Sequence, residues 1–120
     1  MGFTIKTRYG AKESFEDGAA APEVVGRLIE ELSTEEFEEP DDEHTQVAVS
    51  FGRWALTAQV SGLLTLDDPA ARPLYLRAAS RGQVRDLLIA MAEGRIDAVR
   101  RVGWVEFEQI PPFERDLFRE

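Results

Sequence analysis

Alternation of apolar and polar residues predicts five β-strands along the chain. In residues 3–9, Phe3 and Ile5 alternate with Lys6 and Arg8, a period of two that is typical of a half-buried strand. The same period recurs in residues 45–51 and 103–110, and residues 54–66 and 74–79 are interpreted as further strands. Gly52-Arg53 has the glycine-first pattern of a tight hairpin. Because thirteen residues is long for one strand, Gly62 is expected to mark a bulge or bend.

Two segments instead repeat their apolar residues at helical spacing. The first covers residues 22–33, where Pro22 suits the first turn. The second follows Ser80 as a capping residue and ends near Gly94. Its stripe is formed by Val84, Leu87, Leu88 and Met91. A short helical turn is expected over 34–39, residues 10–21 are expected to form a loop, and residues 95–101 are open between helix and loop.

These elements predict an α+β fold in β-α-β-β-β-α-β order, with an antiparallel sheet and two helices packed on one face. Three consecutive strands joined by short turns favour an antiparallel meander, and each amphipathic helix must bury its stripe. A length of 120 residues predicts one domain over residues 1–120, with 111–120 as a tail. We expect Trp54 or Trp104 to be buried against the second helix.

Negative charge is concentrated in one stretch, "EELSTEEFEEPDDE" at residues 30–43, which carries nine carboxylates and no basic side chain. The chain has 23 acidic and 14 basic residues, so the 14 acids outside this acidic run balance the bases. The net charge of −9 disfavours binding to nucleic acid and to anionic membranes, and it would steer a cationic partner towards the protein.

The acidic run is either a solvated face or a recognition surface. An aromatic residue among carboxylates resembles an apolar anchor with an acidic rim, although Phe37 could equally fold back onto the first helix. The candidate partner-binding residues are Glu35, Glu36, Phe37, Glu38, Glu39, Asp41, Asp42 and Glu43.

The usual residues of enzymes and metal sites are scarce. The chain has no cysteine, which excludes a thiol nucleophile and a thiolate metal site. Its one histidine, His44, adjoins the acidic run and is expected to be a solvated loop residue. "PDDEH" lacks the ligand spacing of an EF-hand. We therefore expect no catalytic residue, no cofactor and no metal. The first residues have no apolar signal-peptide core, which favours a cytoplasmic location.

The second half of the chain has the opposite sign, with seven arginines and three acids between Arg72 and Arg101. In its length, acidity, element order and Gly-Trp after the last helix ("VGW", 102–104), the chain resembles the small cytoplasmic immunity proteins of bacterial polymorphic-toxin systems. That resemblance implies a stoichiometric inhibitor, without catalysis, that blocks a toxin's substrate site. The resemblance also implies that the acidic face imitates nucleic acid in the cationic cleft of a toxin. The basic half of the chain departs from that pattern, because a simple mimic of nucleic acid does not need it.

Two main interpretations remain open at this level. The first is a non-catalytic binding protein that neutralises or sequesters a basic protein partner, such as a toxin domain. The second is a small regulatory or ligand-binding α+β module, and one form of this alternative is a homodimer that pairs its acidic and basic faces. A third interpretation is an enzyme, although the chain has few of the residues that usually act in catalysis.

Overall fold

The structure is a computed structural model, which describes residues 2–8, 10–33, 46–68, 70–110 and 117–118. The strands in this part of the chain are β1 Phe3–Lys6, β2 Lys12–Phe15, β3 Gln46–Phe51, β4 Trp54–Gln59, β5 Leu63–Asp67 and β6 Leu74–Arg77. These six strands form one antiparallel sheet in the order β2-β1-β3-β4-β5-β6. The helices are α1 Ala21–Ser33, α2 Arg81–Ala92 and α3 Ile96–Arg100, with 3-10 turns at Gly18–Ala20 and Phe107–Gln109.

The sheet buries one face, and both long helices pack on it. Residues that stand opposite one another on β1, β3, β4 and β5 are all buried, in the row Ile5, Val49, Leu56 and Leu66. The neighbouring row points to the other face and has no buried member: Lys6, Ala48, Thr57, Thr65 and Tyr75. This alternation is that of an antiparallel sheet covered on one side. Helices α1 and α2 each contact β3 and each other, so the predicted α+β class is confirmed.

Both predicted helices bury the stripe that their sequence shows. Val25 and Leu28 of α1 and Val84, Leu88 and Met91 of α2 have no exposed surface. Burying a side chain of this size contributes about 1.5–3 kcal/mol relative to leaving it in water. The predicted cap is also confirmed, because the Ser80 side chain accepts a hydrogen bond from the main-chain N–H of Gln83.

The strands differ from prediction in three places. The segment predicted as one strand over 54–66 is two strands, because the chain turns at residues 60–62, where Gly62 has a φ of +95°. The segment 10–21, predicted as a loop, contains β2 and a 3-10 turn. The segment 103–110 is not a strand. Only Val105 pairs with the sheet, through an isolated bridge to Tyr75, and the chain then turns at Phe107–Gln109.

Two residues near the C-terminus pack on the fold. The main-chain N–H groups of Leu117 and Phe118 donate to the carbonyls of Ser61 and Val60, at the turn between β4 and β5. The Phe118 ring is buried, 1% exposed, and lies 5.3 Å from the Arg81 guanidinium. The remaining residues of the predicted tail lie outside the described residues.

Among the residues described, no helix has the length and apolar character needed to cross a membrane.

Candidate functional site

All eight candidate partner-binding residues fall within 34–45, which lies outside the described residues. The same holds for His44 and for the predicted helical turn over 34–39. The structure does fix the two points between which this segment runs. The segment follows Ser33, the last residue of α1, and precedes Gln46, the first residue of β3.

A buried arginine holds the helix at this end of the sheet. Arg8 follows β1 and is only 5% exposed. Its Nη1 donates a hydrogen bond of 2.8 Å to the main-chain carbonyl of Glu31, in the last turn of α1. A cation is favoured at a helix C-terminus, where carbonyl groups lack helical partners. Arg8 therefore fixes the last turn of α1, in which Glu30 and Glu31 begin the acidic run.

A pocket lies at the opposite end of the sheet, beside the β3–β4 hairpin. Phe51 at the end of β3 pairs with Trp54 across the hairpin. The six residues of β3 span about 17 Å, which separates Gln46 from this end of the strand. The cavity has a volume of about 340 Å³. Its lining includes Trp54, Leu66, Asp68, Arg72, Arg100 and Trp104. The pocket is thus built from β4, β5, β6 and their β5–β6 connection, together with α3 and the segment after α3.

The two indole rings of the pocket are held in place by α3. The Nε1–H of Trp104 donates a hydrogen bond of 2.7 Å to the main-chain carbonyl of Val99, whose own side chain is buried. The Trp54 ring faces the Arg100 guanidinium, with 5.5 Å from Cζ to the ring centroid. Both tryptophans are half-buried at the edge of the core. The expectation that one of them would be buried was therefore wrong.

The charges of the pocket are two guanidinium groups and one carboxylate. Arg72 and Arg100 are exposed, and neither forms an ion pair with any described carboxylate. The carboxylate of Asp68 accepts a hydrogen bond of 3.0 Å from the Ala70 main-chain N–H, which ties it into its own turn. The pocket therefore has two exposed guanidinium groups beside apolar and aromatic side chains.

Sequence patterns missed this site because its residues come from separated segments. The sequence patterns indicate Trp54 and Trp104 as core candidates, with Trp104 also in the "VGW" of the resemblance, and the arginines as part of a basic half. The arginines close to Trp104 in "RRVGW" do not announce the observed stacking, because the Arg100 guanidinium lies over Trp54, which is far from it in the sequence.

Within the part of the chain that the structure describes, no group of three or more His, Cys, Asp or Glu residues is placed to hold a metal ion. No family model matches the chain, and neither the curated proteins nor the solved structures give a significant match.

Proposed function

We propose that this protein is a non-catalytic binding protein that neutralises or sequesters a cationic protein partner. The observation that carries the proposal is the charge distribution: nine carboxylates in residues 30–43 account for the whole net charge of −9. Exposed carboxylates of one sign raise the rate at which a basic protein is encountered. Crowded like charges also repel each other, and that repulsion is relieved when a basic partner arrives.

The position of the acidic run in the chain supports this proposal. Its connection joins Ser33, the last residue of α1, to Gln46, the first residue of β3. A short polar connection would join Ser33 to Gln46 as well. The additional carboxylates therefore need an explanation other than folding, and recognition of a basic partner provides one.

The resemblance to bacterial immunity proteins gives the proposal its specific form. A toxin domain that acts on nucleic acid has a cationic cleft, and an acidic surface can occupy that cleft in place of the substrate. In this proposal the protein acts in the cytoplasm of a bacterium as a stoichiometric inhibitor. The acidic run, with Phe37 as an apolar anchor, makes the contact.

The experiment compares two variants with the same change in net charge. One replaces Glu35, Glu36, Glu38, Glu39, Asp41 and Asp42 by Gln or Asn. The matched control replaces six exposed carboxylates elsewhere: Glu16, Glu23, Asp86, Asp97, Glu106 and Glu108. Each tagged protein is used to capture binding proteins from extracts of the source organism, and the captured proteins are identified by mass spectrometry.

We expect wild type and the control to retain one basic protein that the run variant loses. The captured protein should then inhibit or kill cells when expressed alone, and be neutralised by co-expression of wild type. An equal loss of capture in both variants would assign the interaction to net charge rather than to the acidic run. Failure of wild type to capture any basic protein would contradict the proposal.

A further inference from the structure

We infer that the pocket at the hairpin end, lined by Trp54, Trp104, Arg72 and Arg100, is a binding site for a small aromatic carboxylate. This site uses no residue of the acidic run. The inference therefore goes beyond the proposed partner binding and does not depend on it.

The size and shape of the pocket favour a small ligand. Its volume of about 340 Å³ is at the lower end of the range of about 300–1,000 Å³ for small-molecule sites. Such sites combine an apolar lining with a few polar groups that fix orientation. Here Leu66, Leu74 and Val102 contribute apolar surface, and the two indole rings contribute flat faces on which a planar ring can stack.

The charge of the pocket selects an anion. Arg72 and Arg100 lack a carboxylate partner among the described residues. A guanidinium group offers a planar fork of N–H donors that matches a carboxylate in a bidentate arrangement. Arg100 already lies against the face of Trp54, so an anion bound to this guanidinium would lie beside an aromatic surface. A ligand with a ring and a carboxylate satisfies both features.

Part of the pocket is preorganised for such a ligand. The hydrogen bond from Trp104 Nε1 to the Val99 carbonyl orients one ring, and the Trp54 ring packs against the hydrophobic core. A site whose groups are already ordered loses less conformational entropy when the ligand binds. Asp68 contributes the only carboxylate of the described lining, and its bond to Ala70 directs one oxygen into the turn.

The test uses the two tryptophans as reporters, since Trp54 and Trp104 are the only ones in the chain and both line the pocket. Wild-type protein is titrated with phenylacetate while indole fluorescence is followed. Parallel titrations use phenylacetamide, which keeps the ring without the charge, and acetate, which keeps the charge without the ring. This comparison needs no variant, so it does not depend on whether a mutant folds.

We expect a saturable change with phenylacetate and at least about tenfold weaker binding of phenylacetamide, because the amide loses a charge-assisted hydrogen bond. Arg72→Gln and Arg100→Gln should each weaken phenylacetate binding by a similar factor. Arg101→Gln is the matched control, because Arg101 is exposed next to Arg100 and does not line the pocket. It should bind phenylacetate as wild type does.

Three results would overturn the inference. Absence of saturation at millimolar phenylacetate would exclude the site. Equal binding of the amide would exclude a role for the arginines, and equal binding of acetate would exclude a role for the indole rings. None of these results bears on capture of a basic protein by the acidic run, so the two proposals fail separately.

Discussion

Arg8 donates to Glu31 twice at the end of the sheet, once from its side chain and once from its main chain. The Arg8 side chain donates to the main-chain carbonyl of Glu31 at 2.8 Å, and the Arg8 main chain hydrogen-bonds to the Glu31 carboxyl group. This double contact joins the residue that follows β1 to the last turn of α1. Glu31 lies two residues before Ser33, the last residue of α1.

Replacement of Arg8 by Ala is expected to lower the free energy of unfolding by about 1.5–3 kcal/mol, the range for a hydrogen bond that involves a charged group. The reason is that the Glu31 carbonyl would lose its partner beside a buried site. Arg27→Ala is the control, because the ion pair of 3.7 Å between Arg27 and Glu13 is half-exposed and worth about 0–1 kcal/mol. Chemical denaturation measures both. Equal losses would show that Arg8 acts only as a surface charge.

The carboxyl group of Glu31 makes stability depend on pH. Burial raises its pKa above the ordinary value of 4.5, against the opposing effects of the Arg8 main-chain hydrogen bond and the charge of Arg27. In the window from 4.5 up to the raised pKa, the folded state binds more protons than the unfolded state. The contribution of Glu31 to stability is therefore greatest at acid pH and falls as pH rises through this window.

We expect Glu31→Gln to remove this part of the pH dependence. The stability of the variant relative to wild type should increase as pH rises from about 4 to 7, because the variant has no buried charge to form. Urea denaturation of both proteins across that range measures the difference. Parallel curves would mean that the Glu31 carboxyl titrates alike in the folded and unfolded states.

Gly94 is predicted to tolerate no side chain. It follows α2 with a φ of +78°, and a Cβ built on it would lie 2.6 Å from Cζ of Phe51. Gly94→Ala combines an unfavourable backbone conformation with displacement of a ring, and should cost about 2–4 kcal/mol. Gly10→Ala is a matched control, since Gly10 has a φ of +90° and open space around it, so it should cost about 1–2 kcal/mol. Equal losses of stability in thermal unfolding would show that Phe51 moves aside freely.

The sequence predicted the helices and central strands because each has a buried side that imposes a period. Strand β2 has no such pattern. Lys12, Glu13 and Ser14 are all exposed at the edge of the sheet, so nothing in "KESF" distinguishes it from a loop. Edge strands with charged residues are common because they resist further pairing.

The opposite error, at residues 103–110, has a local cause. The segment alternates apolar and polar residues, but Gln109 forms hydrogen bonds of a turn in place of those of a strand. Its main-chain N–H donates to the Glu106 carbonyl at 3.0 Å, and its side-chain oxygen accepts from the Glu106 N–H at 3.0 Å. These bonds stabilise a turn directly after Val105 has paired with Tyr75. Periodicity alone cannot register such a competing turn.

A homodimer that pairs acidic and basic surfaces remains the second interpretation of the charge distribution. A two-fold dimer of this kind would pair the acidic surface of each molecule with the basic surface of the other. We expect any such association to weaken as salt rises, because the screening length falls from about 10 Å at 0.1 M to about 3 Å at 1 M. Sedimentation at both salt concentrations measures it, and a monomer unaffected by salt would exclude this pairing.

The last prediction separates the charges of the acidic run from its aromatic residue. Once the basic partner is purified, changing Glu35, Glu36, Glu38, Glu39, Asp41 and Asp42 to Gln or Asn should slow association, because exposed charges act mainly by steering the encounter. The dependence of the association rate on salt should fall with it. Stability should be unchanged or slightly higher, since crowded carboxylates repel each other.

Phe37→Ala should act on the other rate constant. If the ring is an anchor, its loss leaves the long-range field intact, so association should proceed as in wild type while dissociation becomes faster. Both variants are compared with wild type by surface binding kinetics at two salt concentrations. An unchanged association rate after charge removal would identify the acidic run as a solvated face. An unchanged dissociation rate in Phe37→Ala would instead be consistent with a ring that packs on the protein's own first helix.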